Sequence, residues 1–128
     1  MHTPAAMITI VDDDASVARA LQRLIRSAGY RVETFASARE FLGSMPSTRT
    51  ACLVLDIYLE GMTGFELEEQ MKLDRLAIPI IFMTAHDDAT TRERIRRAGM
   101  AGYLVKPFDG QVLLDAIFRV AGPAVAGA

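Results

Sequence analysis

Four short stretches of this chain end in side chains suited to polar chemistry. Asp12, Asp13 and Asp14 follow the apolar run Met7–Val11. Asp56 follows Ala51–Leu55, Thr84 and Ala85 follow Ile78–Met83, and Lys106 and Pro107 follow Gly102–Val105. Carboxylates, one hydroxyl and one ammonium thus recur at the same place, just past an apolar run. Two carboxylates about 5 Å apart repel by roughly 3 kcal/mol at an effective dielectric near 20. Acids gathered at one rim therefore need cations. Lys106 offsets one charge, and a divalent ion offsets the rest. Oxygen-only donors favour magnesium, manganese or calcium over zinc. Magnesium keeps several waters and takes few protein ligands, which suits a shallow rim with few carboxylates.

That chemistry needs elements to bring the four ends together. The first, third and fourth apolar runs are nearly continuous in apolar side chains, as in strands covered on both faces. Tyr30–Phe35 alternates polar and apolar, as at an edge with one wetter face. Between the runs the period turns helical. Val17, Leu21, Leu24, Ile25 and Ala28 share one face, with Gly29 as the stop. Ser37 to Glu40 has capping-box spacing before Phe41, Leu42 and Met45, and Pro46 ends that helix. Thr63 to Glu66 repeats the spacing before Leu67 and Met71. Asp87 and Asp88 open an Arg-rich helix ending at Gly99, and Asp109 opens a last one carrying Val112, Leu113, Ala116, Ile117 and Val120. The order βαβαβαβαβα, with right-handed crossovers, predicts an α/β domain: a five-stranded parallel sheet with helices on both faces. In such sheets ligands bind outside the carboxyl ends of the strands, where all the singled-out residues fall.

Each residue also has a plainer reading. Asp14 reads as a helix N-cap, but one cap does not need three acids. Thr84 suits a turn, and His86 a solvated loop, since no second ligand is spaced for zinc. Phe65, Phe82 and Tyr103 read as core aromatics, Met62 and Met100 as gap-fillers, and Cys52 as a small buried hydrophobe. Arg92, Arg94, Arg96 and Arg97 read as a solvated helix face.

Composition narrows the function classes. With 128 residues the chain makes one domain, and 51% apolar with 23% charged residues is a globular balance. A net charge of −2 offers no basic field for nucleic acid. One cysteine excludes an internal disulfide. No membrane-spanning run and no signal-peptide pattern are present, so a cytoplasmic location and no membrane partner are expected.

Taken together, Ile10-Val11-Asp12-Asp13-Asp14, Leu55-Asp56-Ile57, Met83-Thr84-Ala85 and Tyr103-Leu104-Val105-Lys106-Pro107-Phe108 resemble the receiver domain of two-component response regulators, most closely receivers of the FixJ/NarL type. The likeness runs from about Met7 to Ala121, so residues 1–121 are expected to form the receiver and 122–128 a tail or the start of a linker. It implies the flavodoxin-like strand order 2-1-3-4-5 and a signalling domain rather than an enzyme. Asp56 would be the phosphoacceptor, taking the phosphoryl group of a phosphohistidine on a sensor histidine kinase or phosphotransfer protein. Asp13 and Asp56, with the backbone carbonyl of Tyr58, would hold magnesium, manganese being able to substitute, and Asp12 would reach it through water. Lys106, the Thr84 hydroxyl and the backbone N–H groups of Ile57 and Ala85 would meet the phosphoryl oxygens. Thr84 and Tyr103 would form the switch, reshaping the face of the fourth helix, fifth strand and fifth helix for partner binding or homodimerisation. The Lys106–Pro107 bond would be cis.

The chain departs from the family pattern in places. Leu59 and Glu60 stand where many receivers have Met-Pro, Ala101-Gly102 where an acid often precedes the switch aromatic, and Tyr58 and His86 flank the phosphoryl path as candidates for tuning its lifetime. With no room for a helix-turn-helix, the chain itself is not expected to bind DNA. A stand-alone regulator is the favoured arrangement, the receiver piece of a longer transcription regulator the alternative. A haloacid-dehalogenase-type phosphatase fits less well, because Tyr58 stands where its general acid would be. A flavin or nucleotide module fits less well still, because three aspartates repel phosphate. A receiver fold kept only for binding is the remaining rival.

Overall fold

Strand side chains point alternately to opposite faces of a sheet. The continuous apolar runs of this chain therefore need cover on both sides, and the helices between them supply it. The computed structural model describes residues 5–44 and 49–124. Its elements are β1 (Met7–Val11), α1 (Ala15–Ser27), β2 (Arg31–Phe35), α2 (Ala38–Ser44), β3 (Cys52–Asp56), α3 (Gly64–Leu73), β4 (Ile80–Thr84), α4 (Ala89–Ala98), β5 (Gly102–Val105) and α5 (Gly110–Ala121). All strand pairs are parallel, in the order β2-β1-β3-β4-β5.

One core layer takes Ile8, Ile10, Cys52, Val54, Ile81 and Met83 from the sheet, and Leu21, Ile25, Leu113 and Ile117 from α1 and α5. The alternate residues Val11, Leu53, Leu55, Ile80 and Phe82 face Phe41, Leu67, Met71 and Ile95 on the other side. Each such side chain contributes roughly 1.5–3 kcal/mol by leaving water. The edge strand β2, with exposed Arg31 and buried Val32, shows the expected alternation.

The helix starts follow the sequence signals. Asp14 caps α1, accepting from the N–H groups of Ser16 and Val17. Thr63 and Glu66 complete a reciprocal capping box at α3. Asp88 caps α4 and Asp109 caps α5. At α2 the box is displaced: Ser37 Oγ accepts from Glu40 N–H, but the Glu40 carboxylate reaches Ala36 N–H instead of Ser37. The expected end of α2 at Met45 and Pro46 lies outside the described residues, as does 125–128 of the expected tail.

Some expectations shift. Met100 is 40% exposed and fills no gap, because it lies beyond the αL glycine, Gly99, that ends α4. Val112 is 47% exposed: Leu113, Ala116, Ile117 and Val120 carry the i, i+3, i+4, i+7 stripe, and Val112 falls on its flank. Phe65 is only half-buried, with one side of its ring near Phe82 and the Arg94 guanidinium 4.8 Å from its centroid. The α4 arginines lie on the solvated face as expected, but each meets an acid there: Asp87, Glu69 or Glu93.

Two features aim the fold at one place. The strand order reverses direction between β1 and β3, and crevices open at such switch points. Gly64 then lets α3 start directly against the end of β3, for a Cβ there would lie 2.8 Å from the Asp56 carbonyl oxygen.

Candidate functional site

The register of the sheet sets the site. Val11 pairs with Leu55, so Asp12 and Asp56 are the next residues on neighbouring strands. Thr84 pairs with Val105, so Lys106 leaves the sheet beside it, and the Lys106–Pro107 peptide is cis. Lys106 Nζ bridges two acids, 2.9 Å from Asp12 Oδ2 and 3.0 Å from Asp56 Oδ2. Carboxylate oxygens of Asp12, Asp13 and Asp56 lie within 4.8 Å of one another.

Their environments differ. Asp12 is buried, and loss of hydration pushes its carboxyl above the usual range, although hydrogen bonds from Lys106 and from Asp14 N–H pull the other way. Burial would depress the Lys106 ammonium, but its bonds to Asp12 and Asp56 outweigh that and raise it. Both Asp56 oxygens are held, Oδ2 by Lys106 and Oδ1 by Tyr58 N–H at 3.1 Å. Asp13 is exposed and takes one N–H, from Glu60, at 3.2 Å. Asp14 turns away into the α1 cap.

This donor set fits a hard divalent cation. It is oxygen only, it carries three carboxylates against one ammonium, and among the described residues Asp13 has no cation partner. Asp12, Asp13 and Asp56 could hold the ion with their side chains, and Tyr58 lies two residues beyond Asp56 in the loop that follows β3.

The remaining named residues lie around this cluster. Thr84 is fully buried, and its Oγ1 accepts from His86 N–H at 2.9 Å. Ile57 N–H is committed to the Met83 carbonyl at 2.9 Å. The Tyr58 amide, a donor that the sequence does not point to, is directed at the Asp56 carboxylate itself. Ala85 follows Thr84 at the exposed start of the β4–α4 loop. The Tyr58 and His86 rings meet edge to face at 5.0 Å.

Tyr103 is half-buried, not in the core. Its hydroxyl donates to Asp87 Oδ1 at 2.7 Å, and Arg92 Nη1 lies 3.2 Å from the same oxygen. Burial first, and then the Asp87 bond, push the phenol up to about 12. A raised folded pKa means that this contribution to stability is complete below pH 10 and is lost as pH rises through about 12. In a 295 nm titration, the difference between wild type and Tyr103→Phe should show a phenol that ionises well above pH 10. Asp87→Ala should move that midpoint down toward 10; an unmoved midpoint would remove Asp87 as a cause. Asp87 and Thr91, the hydroxyl partner of Tyr58, were both missed from sequence. Thr91 had a signal, because it sits on the same face as Ile95 in an otherwise polar helix.

A doubly wound parallel sheet with an acid cluster, a buried threonine and a bridging lysine at its carboxyl edge defines a class of protein, and the match to known sequences specifies it. Residues 8–118 match the response regulator receiver domain. The chain belongs to that family, the receivers of two-component systems. It is 42% identical over 119 residues to nodulation protein W of Bradyrhizobium diazoefficiens, covering 91% of this chain and 52% of that one. It superposes on the response regulator StyR with a TM-score of 0.84 at 44% identity, covering 91% of this chain and 59% of that one. On the chemotaxis protein CheY4 of Vibrio cholerae the TM-score is 0.83 at 30% identity, with 91% and 98% covered. The chain spans about half the length of the curated relatives it matches. Among the described residues, no helix is long and apolar enough to cross a membrane.

Proposed function

We propose that the chain is a working phosphoacceptor: Asp56 takes a phosphoryl group from a phosphohistidine on a sensor kinase or phosphotransfer protein. The observation that carries this reading is the Lys106 ammonium held between Asp12 and Asp56 inside a cluster of three acids. A lysine that only neutralised charge would serve with one partner; here it also orients the carboxylate. An Asp56 oxygen attacks phosphorus, the P–N bond breaks, and the electron pair stays on the imidazole. Lys106 and the Tyr58 amide already point at the carboxylate that bears the new group, so little reorganisation accompanies the transfer. Asp13, Asp56 and the Tyr58 carbonyl, with Asp12 reaching it through water, would hold a magnesium ion, which would supply charge neutralisation at the phosphoryl oxygens.

Output follows from the same groups. Thr84 turns its hydroxyl to the phosphoryl group, and Tyr103 leaves Asp87 to follow it inward. The surface formed by α4, β5 and α5 then changes for a partner or a second copy. Half-exposed Val105, Val112 and Phe118 lie on β5 and α5. That surface serves a separate partner, or a following domain on the same polypeptide, equally well.

The test is intact-mass spectrometry after incubation with phosphoramidate. Expected is one magnesium-dependent phosphoryl adduct, labile to hydroxylamine and absent in Asp56→Asn. An adduct that persists in Asp56→Asn would move the acceptor elsewhere. No adduct with phosphoramidate or with a phosphorylated histidine donor would leave a receiver used only for binding.

A further inference from the structure

The helix α4 buries only two side chains, Ile95 and Thr91. A hydroxyl in that position needs a partner, and it has one outside its own helix. Thr91 Oγ1 lies 2.7 Å from the Tyr58 hydroxyl. The bond crosses from the β3–α3 loop to the first turn of α4, where Asp88 Oδ1 accepts from Thr91 N–H at 2.7 Å and fixes the residue. At its other end Tyr58 is tied to the acceptor, since its N–H donates to Asp56 Oδ1. Its ring meets His86, whose N–H is bonded to Thr84 Oγ1. Tyr58 and His86, each two residues past a site residue, thus close the gap between the two loops that follow Asp56 and Thr84. Tyr58 is 46% exposed, too little buried for packing alone to hold a long side chain in place. Its far end is held by Thr91.

We propose that Thr91 is a positioning residue: its hydroxyl pins the Tyr58 phenol, keeps the Tyr58–His86 pair closed, and so sets the rate at which water reaches an aspartyl phosphate on Asp56. This rests on the phosphoacceptor reading above. In the step it slows, a water oxygen bonds to phosphorus and the bond from phosphorus to the Asp56 oxygen breaks. The carboxylate keeps the electron pair, and inorganic phosphate and a proton go to solvent. Because Thr91 rides on α4, lifetime and output are coupled. A partner that keeps the bond between Thr91 and Tyr58 made lengthens the phosphorylated state, and one that breaks it shortens it. Linkage makes the coupling reciprocal where it acts on binding.

The test uses the full chain, phosphorylated with phosphoramidate and freed of donor. Decay of the adduct is followed by intact mass at saturating magnesium. Thr91→Val should shorten the half-life about fivefold, the factor that one hydrogen bond of ordinary net strength represents. Thr91→Ser should restore it, Tyr58→Phe should match Thr91→Val, and the double variant should decay no faster than either single one. In the unphosphorylated protein, the NMR shifts of the His86 ring protons should change in Thr91→Val and return in Thr91→Ser. Wild-type decay in Thr91→Val, or equal decay in the Val and Ser variants, would overturn the role of Thr91 while leaving the acceptor intact. No adduct on the wild-type chain would overturn the acceptor reading and this proposal with it, whatever the His86 shifts show.

Discussion

Lys106→Ala should destabilise the metal-free protein by about 3 kcal/mol, and an added divalent cation should restore most of the loss. Removing one partner of a buried ion pair costs about 3–5 kcal/mol, because the other charge is left without compensation. The lower end applies here, since the lysine side chain is 21% exposed and that of Asp56 12%, while that of Asp12 is fully buried. With the lysine gone, three carboxylates face one another with no ammonium between them. A cation that binds the folded form at 100 times its Kd adds about 2.7 kcal/mol. The pH dependence has a definite sign. The Asp12 carboxyl is already raised by burial, and losing Lys106 raises it further. A raised carboxyl pKa means that stability grows as pH falls toward that pKa, so the deficit of Lys106→Ala should narrow from pH 7 to pH 5. Denaturant midpoints with chelator, with magnesium and across that pH range measure all three terms. A deficit below about 1 kcal/mol, the range of an exposed pair, would mean that the bridge does not hold the site together.

How far this site was legible in the sequence depends on which interactions are local. Continuous apolar runs, capping residues and the acids beyond the strands are set by neighbours in the chain. Strands, helix starts and the rim position of Asp12, Asp56, Thr84 and Lys106 could therefore be read directly. The strand order came only through the family resemblance, because periodicity says which runs are strands and not which ones pair. What escaped depends on long-range side-chain geometry. The bond from Tyr58 to Thr91 spans 33 positions, and that from Tyr103 to Asp87 spans 16. No spacing rule reaches that far. Composition alone makes Tyr103 a core aromatic by default, and its place as a switch residue comes only from the resemblance. It lies instead on the edge strand β5, where a phenol finds a surface carboxylate. The backbone donors beside Asp56 were equally hidden, since whether Ile57 or Tyr58 offers its N–H depends on where the β3–β4 ladder ends.

Asp13→Ala should weaken magnesium binding by at least the roughly 10–100-fold that loss of an outer-shell partner costs a metal site, whereas Asp14→Ala should leave it nearly unchanged. The two acids are adjacent and both exposed, yet the structure gives them opposite work. Asp14 Oδ1 accepts from Ser16 N–H, Val17 N–H and Ser16 Oγ, and these bonds hold its carboxyl below the usual range. Losing that cap should lower stability. Its lowered pKa places that contribution above pH 3.8, to be lost as pH falls below. Asp13 caps nothing. One N–H from Glu60 holds it against the cluster, and among the described residues no lysine pairs with it. Its removal should therefore leave the metal-free protein as stable as wild type, or more so, because repulsion between neighbouring carboxylates falls. The pair forms a crossed test: one substitution costs metal affinity and no stability, the other stability and no metal affinity. Calorimetric titration with magnesium and denaturant midpoints in chelator read the two axes separately. Equal losses of affinity in both variants would place the cation outside the cluster. A metal-free Asp13→Ala protein less stable than wild type would show that repulsion among these acids is not what the cation relieves.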